Sequence, residues 1–125
     1  MLSDEALHSL ASHCPLLRAI GLIRVRDITD AGFIALAKAC PLEEVELSDI
    51  WGLADEWMHV LAEHCASSLL TLRIAGVGDP YDISLAALAT VMDKCTKLRQ
   101  VEDMIHMTLS MAVGQRRSIH FDRNE

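Results

Sequence analysis

The stretch ITDAGFIALAKACPLEEVEL, residues 28–47, contains a complete signal for a helix, a turn and a strand. Asp30 is a residue type that favours a helix start, and apolar residues follow at helical spacing as far as Cys40. Pro41 then prevents the helix from continuing. The alternating apolar residues beyond Pro41 indicate a short strand. The stretch therefore predicts one helix–strand unit.

The same signal occurs again along the chain. The four cysteines, Cys14, Cys40, Cys65 and Cys95, follow one another at intervals of 26, 25 and 30 residues, and a period of this size predicts a repeat. Alignment on the cysteines brings three more segments into register: LSDEALHSLASHCPLLRAIGL, LADEWMHVLAEHCASSLLTLRI and ISLAALATVMDKCTKLRQVED. Their apolar helical positions recur at offsets of three, four and seven residues, which places them on one helix face.

Each copy predicts one helix followed by one short strand. Such a unit cannot bury both of its apolar faces alone, but stacked copies can, with the strands in a parallel sheet and the helices in a second layer. We therefore predict an α/β domain over residues 1–104. Its four repeats are expected at about 2–27, 28–52, 53–82 and 83–104, and residues 105–125 are expected to form a C-terminal capping segment or tail.

The second copy carries T-D-x-G near the helix start, the first two carry L-A-x-x-C-P at its end, and a segment of the L-x-x-L-x-L type, with valine or isoleucine at some positions, follows. This pattern resembles the cysteine-containing leucine-rich repeat, which is familiar from the substrate-binding arms of F-box ubiquitin-ligase subunits. The resemblance covers roughly residues 2–102, with the second copy matching most closely and the fourth least. It implies a short leucine-rich-repeat solenoid with the parallel sheet on its concave face.

Composition narrows the classes of function. Hydrophobic residues make up 51% of the 125 residues, which indicates a folded core. The net charge of −7 argues against binding to nucleic acid or to anionic membranes. No apolar run approaches the ~20 residues needed to cross a bilayer. The N-terminal segment carries acidic residues and no basic region, so no secretory signal peptide is predicted.

The cysteines and histidines are expected to be structural. One cysteine falls at the same helical position of each copy, which predicts a buried column and not a metal site of C-x2-C pairs. Packed helices lie ~10 Å apart, too far for disulfides. Reduced thiols predict an intracellular and most simply a cytoplasmic location. The histidine pairs His8 with His13 and His59 with His64 are five residues apart, so each pair diverges around its helix.

No nucleophile, phosphate or dinucleotide motif occurs in the sequence. We therefore expect a non-enzymatic protein without a cofactor or a metal. The candidate binding surface is formed by outward strand positions and by two loop aromatics. These residues are Glu44, Glu46, Ser48, Thr71, Arg73, Gln100 and Glu102 on the strands, and Trp51 and Tyr81 on the loops.

The middle row of the predicted sheet face reads Gly21, Glu46, Arg73, Glu102, so Arg73 is expected between two carboxylates. Either this ladder neutralises itself and binds nothing, or it joins Glu44 in an acidic patch for a basic peptide or protein. The loop aromatics either add contact area or pack between adjacent loops.

The leading hypothesis is a protein–protein interaction module that serves as a subunit or adaptor of a larger assembly. The second hypothesis, which rests on the resemblance, is the substrate-recognition arm of an F-box-type ubiquitin ligase. An enzyme or metal protein built on cysteine and histidine is a third and less favoured class. Repeat arrays need covered ends. The tail is expected to cover the last repeat, leaving the first for a partner protein or for a second copy in a homo-oligomer.

Overall fold

A computed structural model describes residues 3–77 and 85–103. These residues form four helices that alternate with four strands, and we call each helix with the strand that follows it a unit. The elements are α1 (Asp4–His13), β1 (Ala19–Ile23), α2 (Asp30–Ala39), β2 (Glu44–Ile50), α3 (Glu56–His64), β3 (Thr71–Val77), α4 (Leu85–Lys94) and β4 (Gln100–Asp103). The predicted α/β class and the alternation of helix and strand are confirmed.

The strands form one parallel sheet in chain order, β1-β2-β3-β4. The middle row of the sheet is Gly21, Glu46, Arg73 and Glu102, as the alignment on the cysteines predicts. Strand β4 pairs as far as Asp103, which stands opposite Ile74. Because the strands are parallel, each connection carries a helix, and each helix packs against its neighbours in chain order.

The core lies between the sheet and the helices. Alternate strand residues point into it, among them Val45, Leu72 and Val101, each at most 1% exposed. The helical positions predicted to face the core are buried in the second, third and fourth units. Trp57 is also completely buried, at a position held by glycine or alanine in the other copies, and its ring packs edge-on against Phe33 with centroids 5.2 Å apart.

The predicted cysteine column is confirmed at three positions and wrong at the first. Cys40, Cys65 and Cys95 are buried, whereas Cys14 is exposed, and all four thiols are free. Cys40 donates its thiol hydrogen to the carbonyl oxygen of Cys14, at 3.3 Å, so each unit covers the cysteine of the unit that follows. Within residues 3–77 and 85–103, no element lies on the outer side of the first unit to cover Cys14 in this way.

The helix starts are held across units. Ser3, Thr29 and Asp55 occupy the N-cap positions, but none of their side chains makes a capping hydrogen bond. Asp4 instead accepts a hydrogen bond from the backbone N–H of Thr29, at 2.8 Å, in the next unit. Asp30 does the same for Ala54 at 2.7 Å. Asp30, which was predicted to start its own helix, therefore stabilises the start of the following helix instead.

The backbone takes a conformation that favours glycine at the C-terminal ends of β1 and β2. Arg24 follows β1 with φ 54°, and Asp49 takes φ 55° near the end of β2. The two residues are equivalent, because each comes directly after one of the paired residues Ile23 and Ser48. The N–H of Arg24 donates to the carbonyl oxygen of Ser48, at 2.8 Å, and so continues the ladder beyond the strand.

The predicted C-terminal segment, residues 105–125, lies outside the part of the chain that the structure describes. Among the helices that are described, none is both long enough and apolar enough to span a membrane.

Candidate protein-binding face

The outward side chains of the sheet form one continuous face. On β1 this face carries Ala19, Gly21 and Ile23, and on β2 it carries Glu44, Glu46 and Ser48. On β3 it carries Thr71, Arg73 and Ala75. The alternation of buried and exposed residues along β2 positions Glu44 and Glu46, because Val45 and Leu47 on either side of Glu46 are anchored in the core.

An open groove of about 260 Å³ lies on this face. It crosses the first three strands and is lined by Ala19, Ile20, Gly21, Glu44, Val45, Glu46, Thr71 and Arg73. The groove exists because Ala19 and Gly21 on β1 are small, whereas Glu44, Glu46 and Arg73 on the neighbouring strands are long. A Cβ atom added to Gly21 would meet no other atom within 4 Å, so the floor of the groove is empty at that position.

Glu44 and Glu46 form the acidic side of the groove. Both are exposed, and they are two residues apart on one strand, which separates them by about 6.7 Å. Within the described part of the chain, no hydrogen bond or ion pair engages either carboxylate. Arg73 stands beside Glu46 in the register, but the two side chains form no ion pair with each other. The two carboxylates thus remain available to a cation.

An ion pair lies just before the first two strands. Arg18 and Glu43 approach to 3.8 Å, just before β1 and β2. The Arg18 side chain is 70% exposed, so this pair contributes little to stability. Because Arg18 pairs with Glu43, it does not engage Glu44 or Glu46 on the sheet face.

The face becomes apolar toward the ends of the strands. Ile23 is 56% exposed, and the residues beside it in the same row, Ser48 and Ala75, are small. Trp51 follows β2 and is 62% exposed. A chain lying along this face would therefore meet carboxylates first and apolar surface afterwards.

The structure brings together four of the residues predicted for the site: Glu44, Glu46, Thr71 and Arg73 line the groove. Ser48 and Gln100 lie on the same face outside the groove lining, and Glu102 is next to Arg73 in the register. Trp51 is at the loop edge. Tyr81 lies outside the described residues.

Four described residues of the predicted sheet face were absent from the predicted binding site: Ala19, Gly21, Ile23 and Ala75. Strand alternation places them outward, but a search for charged and aromatic side chains passes over small and aliphatic ones. The signal of Ala19 and Gly21 is the lack of side-chain volume beside two glutamates, which opens a groove only when the strands are in register.

The described residues offer no assembled chemistry for a metal. No group of three or more histidine, cysteine, aspartate or glutamate side chains lies close enough to hold an ion within residues 3–77 and 85–103. His13 Nδ1 is within 2.9 Å of the carbonyl oxygen of Ser9 on its own helix.

The buried thiols are not activated. Burial raises the pKa of Cys40, and it also raises the pKa of Cys65 in spite of hydrogen bonds that act in the opposite direction. Because the thiolate is the nucleophile, a raised pKa makes these cysteines inert near neutral pH.

No protein-family model matches the chain, and no curated protein matches it at a significant level.

Proposed function

We propose that the protein is a non-enzymatic interaction module that binds a basic segment of another protein on its sheet face. The observation that carries this proposal is the groove bordered by Glu44 and Glu46, whose carboxylates have no partner among the described residues. The proposal takes the chain to be a short leucine-rich-repeat solenoid, for which the helix–strand alternation and the in-order parallel sheet are the support. Solenoids of this kind bind partners on extended concave surfaces.

Charge supports a cationic partner. Two exposed carboxylates about 6.7 Å apart lie within reach of lysine or arginine side chains that extend from one bound peptide. The chain as a whole carries a net charge of −7, which steers basic partners toward it and repels acidic ones. Of the two interpretations of the ladder, we favour binding over self-neutralisation, because Glu44 and Glu46 have no ion pair or hydrogen bond among the described residues.

The module is proposed to act inside the cell as a subunit or adaptor. Its buried cysteines form no disulfide, and burial raises the pKa of the Cys40 and Cys65 thiols; a reducing compartment preserves thiols in this state. The first unit also exposes Leu16, which is 81% accessible, together with Ile23 and Cys14. The native mass of the purified chain tests whether two copies instead meet through this unit.

The first experiment is a binding screen. Arrayed ten-residue peptides that carry lysine or arginine are compared with matched peptides in which glutamine replaces each basic residue. The fluorescently labelled, full-length chain should bind the basic set preferentially, and added salt should weaken the binding because it screens the charges.

Matched variants identify the face. The double variant Glu44→Gln with Glu46→Gln should bind basic peptides at least about fivefold more weakly, since two close charge pairs are lost. Glu63→Gln removes an exposed carboxylate from α3, on the helical layer, and should leave the affinity unchanged. Equal binding of basic and neutral peptides would refute the proposal. Equal losses of affinity in the double glutamine variant and in Glu63→Gln would also refute it.

The second candidate, a substrate-recognition arm of an F-box-type ubiquitin ligase, is supported by the resemblance of the repeats alone. It would use the same face. Co-purification of the chain with ligase components would favour it over a general adaptor.

A further inference from the structure

The groove runs along the strands, and its two carboxylates are a fixed distance apart. Both features limit the sequence of the segment that can bind there. We propose that the bound segment is an extended chain lying along β1, with basic side chains at positions i and i+2 and a bulky apolar side chain at i+4. This proposal rests on the proposed function, and it adds the sequence pattern that the face selects.

The expected interval between the basic residues of the segment follows from the spacing of residues along a strand. Alternate residues of an extended chain are about 6.7 Å apart, and so are Glu44 and Glu46 on β2. A segment that runs alongside β2 therefore presents every second side chain to successive outward residues of that strand. Basic residues at i and i+2 meet Glu44 and Glu46 in turn, whereas adjacent basic residues would point to opposite sides of the segment.

The position comes from the small residues of β1. Ala19 and Gly21 stand directly beside Glu44 and Glu46 in the sheet, so they form a trough along one side of the carboxylates. The space above Gly21 is open, which gives the segment room for its backbone or for the apolar stem of a lysine. On the other side of the carboxylates, Thr71 and Arg73 form the far wall of the groove.

The apolar side chain at position i+4 of the segment is expected because of Ile23. It is the next outward residue of β1 after Gly21, and it is 56% exposed beside the small residue Ser48, on the outer strand of the described sheet. Strand alternation places it one spacing beyond the row of Glu46, so it faces position i+4 of the segment. An apolar side chain there would cover Ile23 and remove its surface from water.

Charge favours a basic segment over a second copy of the chain as the partner at this face. If β1 of two copies paired in antiparallel fashion about Gly21, Arg18 of each copy would lie opposite Arg24 of the other. Both arginines are exposed, and like charges directly opposite each other destabilise a strand pair. A basic peptide instead brings its charges to the unpaired acids on the face.

The test uses the full-length chain and four short acetylated peptides with one charge composition. The first carries lysines at i and i+2 and leucine at i+4, and the second has the same pattern in reverse order. The third places both lysines and the leucine at adjacent positions, and the fourth replaces the leucine with serine. Affinities are measured by fluorescence anisotropy at low salt.

The better of the two spaced peptides should bind at least about fivefold more tightly than the adjacent and the serine peptides, because only it meets both carboxylates and Ile23. Gly21→Val fills the trough with a residue that strands favour and should abolish the preference for spacing. Ile23→Ser should weaken the leucine peptide and leave the serine peptide unchanged. Far-ultraviolet circular dichroism confirms that both variants fold.

The outcomes separate the two proposals. Tight binding of all lysine peptides regardless of spacing would overturn the pattern and leave the basic-partner function intact. Failure of every lysine peptide would overturn both. A native mass of two chains that becomes one chain in the Gly21→Val variant would show that a second copy occupies the trough, and this would also overturn the pattern.

Discussion

The carboxylate of Asp30 accepts a hydrogen bond from the backbone N–H of Ala54, 24 residues further along the chain, at 2.7 Å. It also accepts one from the N–H of Trp57, at 3.3 Å. Asp4 has the same relationship to Thr29. An acid at the start of one helix thus satisfies the orphan donors at the start of the next, which is the role that a local cap has in most helices.

Removing this contact should destabilise the protein. We expect Asp30→Ala to lower the free energy of unfolding by about 1–2 kcal/mol, the usual cost of losing a helix cap. Glu63→Ala, which removes an exposed carboxylate from α3, serves as the control and should have little effect. Urea denaturation followed by circular dichroism measures both, and a smaller loss for Asp30→Ala than for Glu63→Ala would show that the cross-unit contact is unimportant.

The glycine at position 32 should resist replacement. An added Cβ would overlap the carboxylate of Asp4 and lie 2.9 Å from its Cα, so α1 and α2 would have to separate. Although alanine normally stabilises a helix relative to glycine by about 1 kcal/mol, we expect Gly32→Ala to destabilise the fold by about 1–3 kcal/mol through overpacking.

The matched control for this prediction is Gly21→Ala, because the new methyl group would meet no atom within 4 Å. It should leave the midpoint of thermal unfolding unchanged or raise it slightly. A higher midpoint for Gly32→Ala than for the wild-type chain would contradict the close approach of Asp4.

Arg24 is a position where glycine should be better than the natural residue. Its φ of 54° is left-handed, which costs a residue with a Cβ roughly 1–2 kcal/mol. We expect Arg24→Gly to stabilise the protein by up to about 1 kcal/mol, after the greater unfolded-state entropy of glycine is subtracted. Arg26→Gly, two residues on and without a positive φ, should be neutral or destabilising in the same calorimetric measurement.

The four thiols should react in two classes. Cys14 is exposed, whereas Cys40, Cys65 and Cys95 are buried. Pulse labelling of the native chain with a maleimide, followed by peptide mass spectrometry, should modify Cys14 at least ~100-fold faster than the others, because those must wait for an opening event. In urea above the unfolding transition all four should react at similar rates.

Alkaline pH should weaken the fold through the buried thiols. Burial holds the pKa values of Cys40 and Cys65 above 9.0, the value of an exposed thiol, so the unfolded chain loses these protons first as the pH rises. Their stabilising contribution is therefore complete below about pH 8.5 and decreases above it, with a slope of up to ~1.4 kcal/mol per pH unit for each thiol. The double variant Cys40→Ala with Cys65→Ala should be less stable at neutral pH and show a shallower decline between pH 8 and 10.

The sequence predicted the parts of this structure that depend on periodicity. The offsets around Cys40 determine a helix face, and the alternation of Val45 and Leu47 determines which way Glu46 points. Alignment on the cysteines even gave the register that sets Arg73 beside Glu46. Each of these features follows from one repeated local pattern, which can be identified without knowing how the units contact one another.

The features that the sequence did not predict depend on contacts between units. Nothing local to Asp30 shows that its carboxylate turns to Ala54, because that donor is 24 residues away. Cys14 carries the same local pattern as Cys40 and is nevertheless exposed, since burial requires a preceding unit. The groove likewise requires the small residues of one strand to stand beside the glutamates of another.

The in-order sheet has a consequence for folding. Each helix packs against the next helix and each strand against the next strand, so the contacts between elements join residues about one unit apart. Stacked units of this kind open in steps, because one end can unravel without disturbing the other. Amide hydrogens of α1, which has a neighbour on one side only among the described elements, should exchange with solvent sooner than those of α3, and the protein would then release its first unit while the strands bearing Glu46 and Arg73 stay paired.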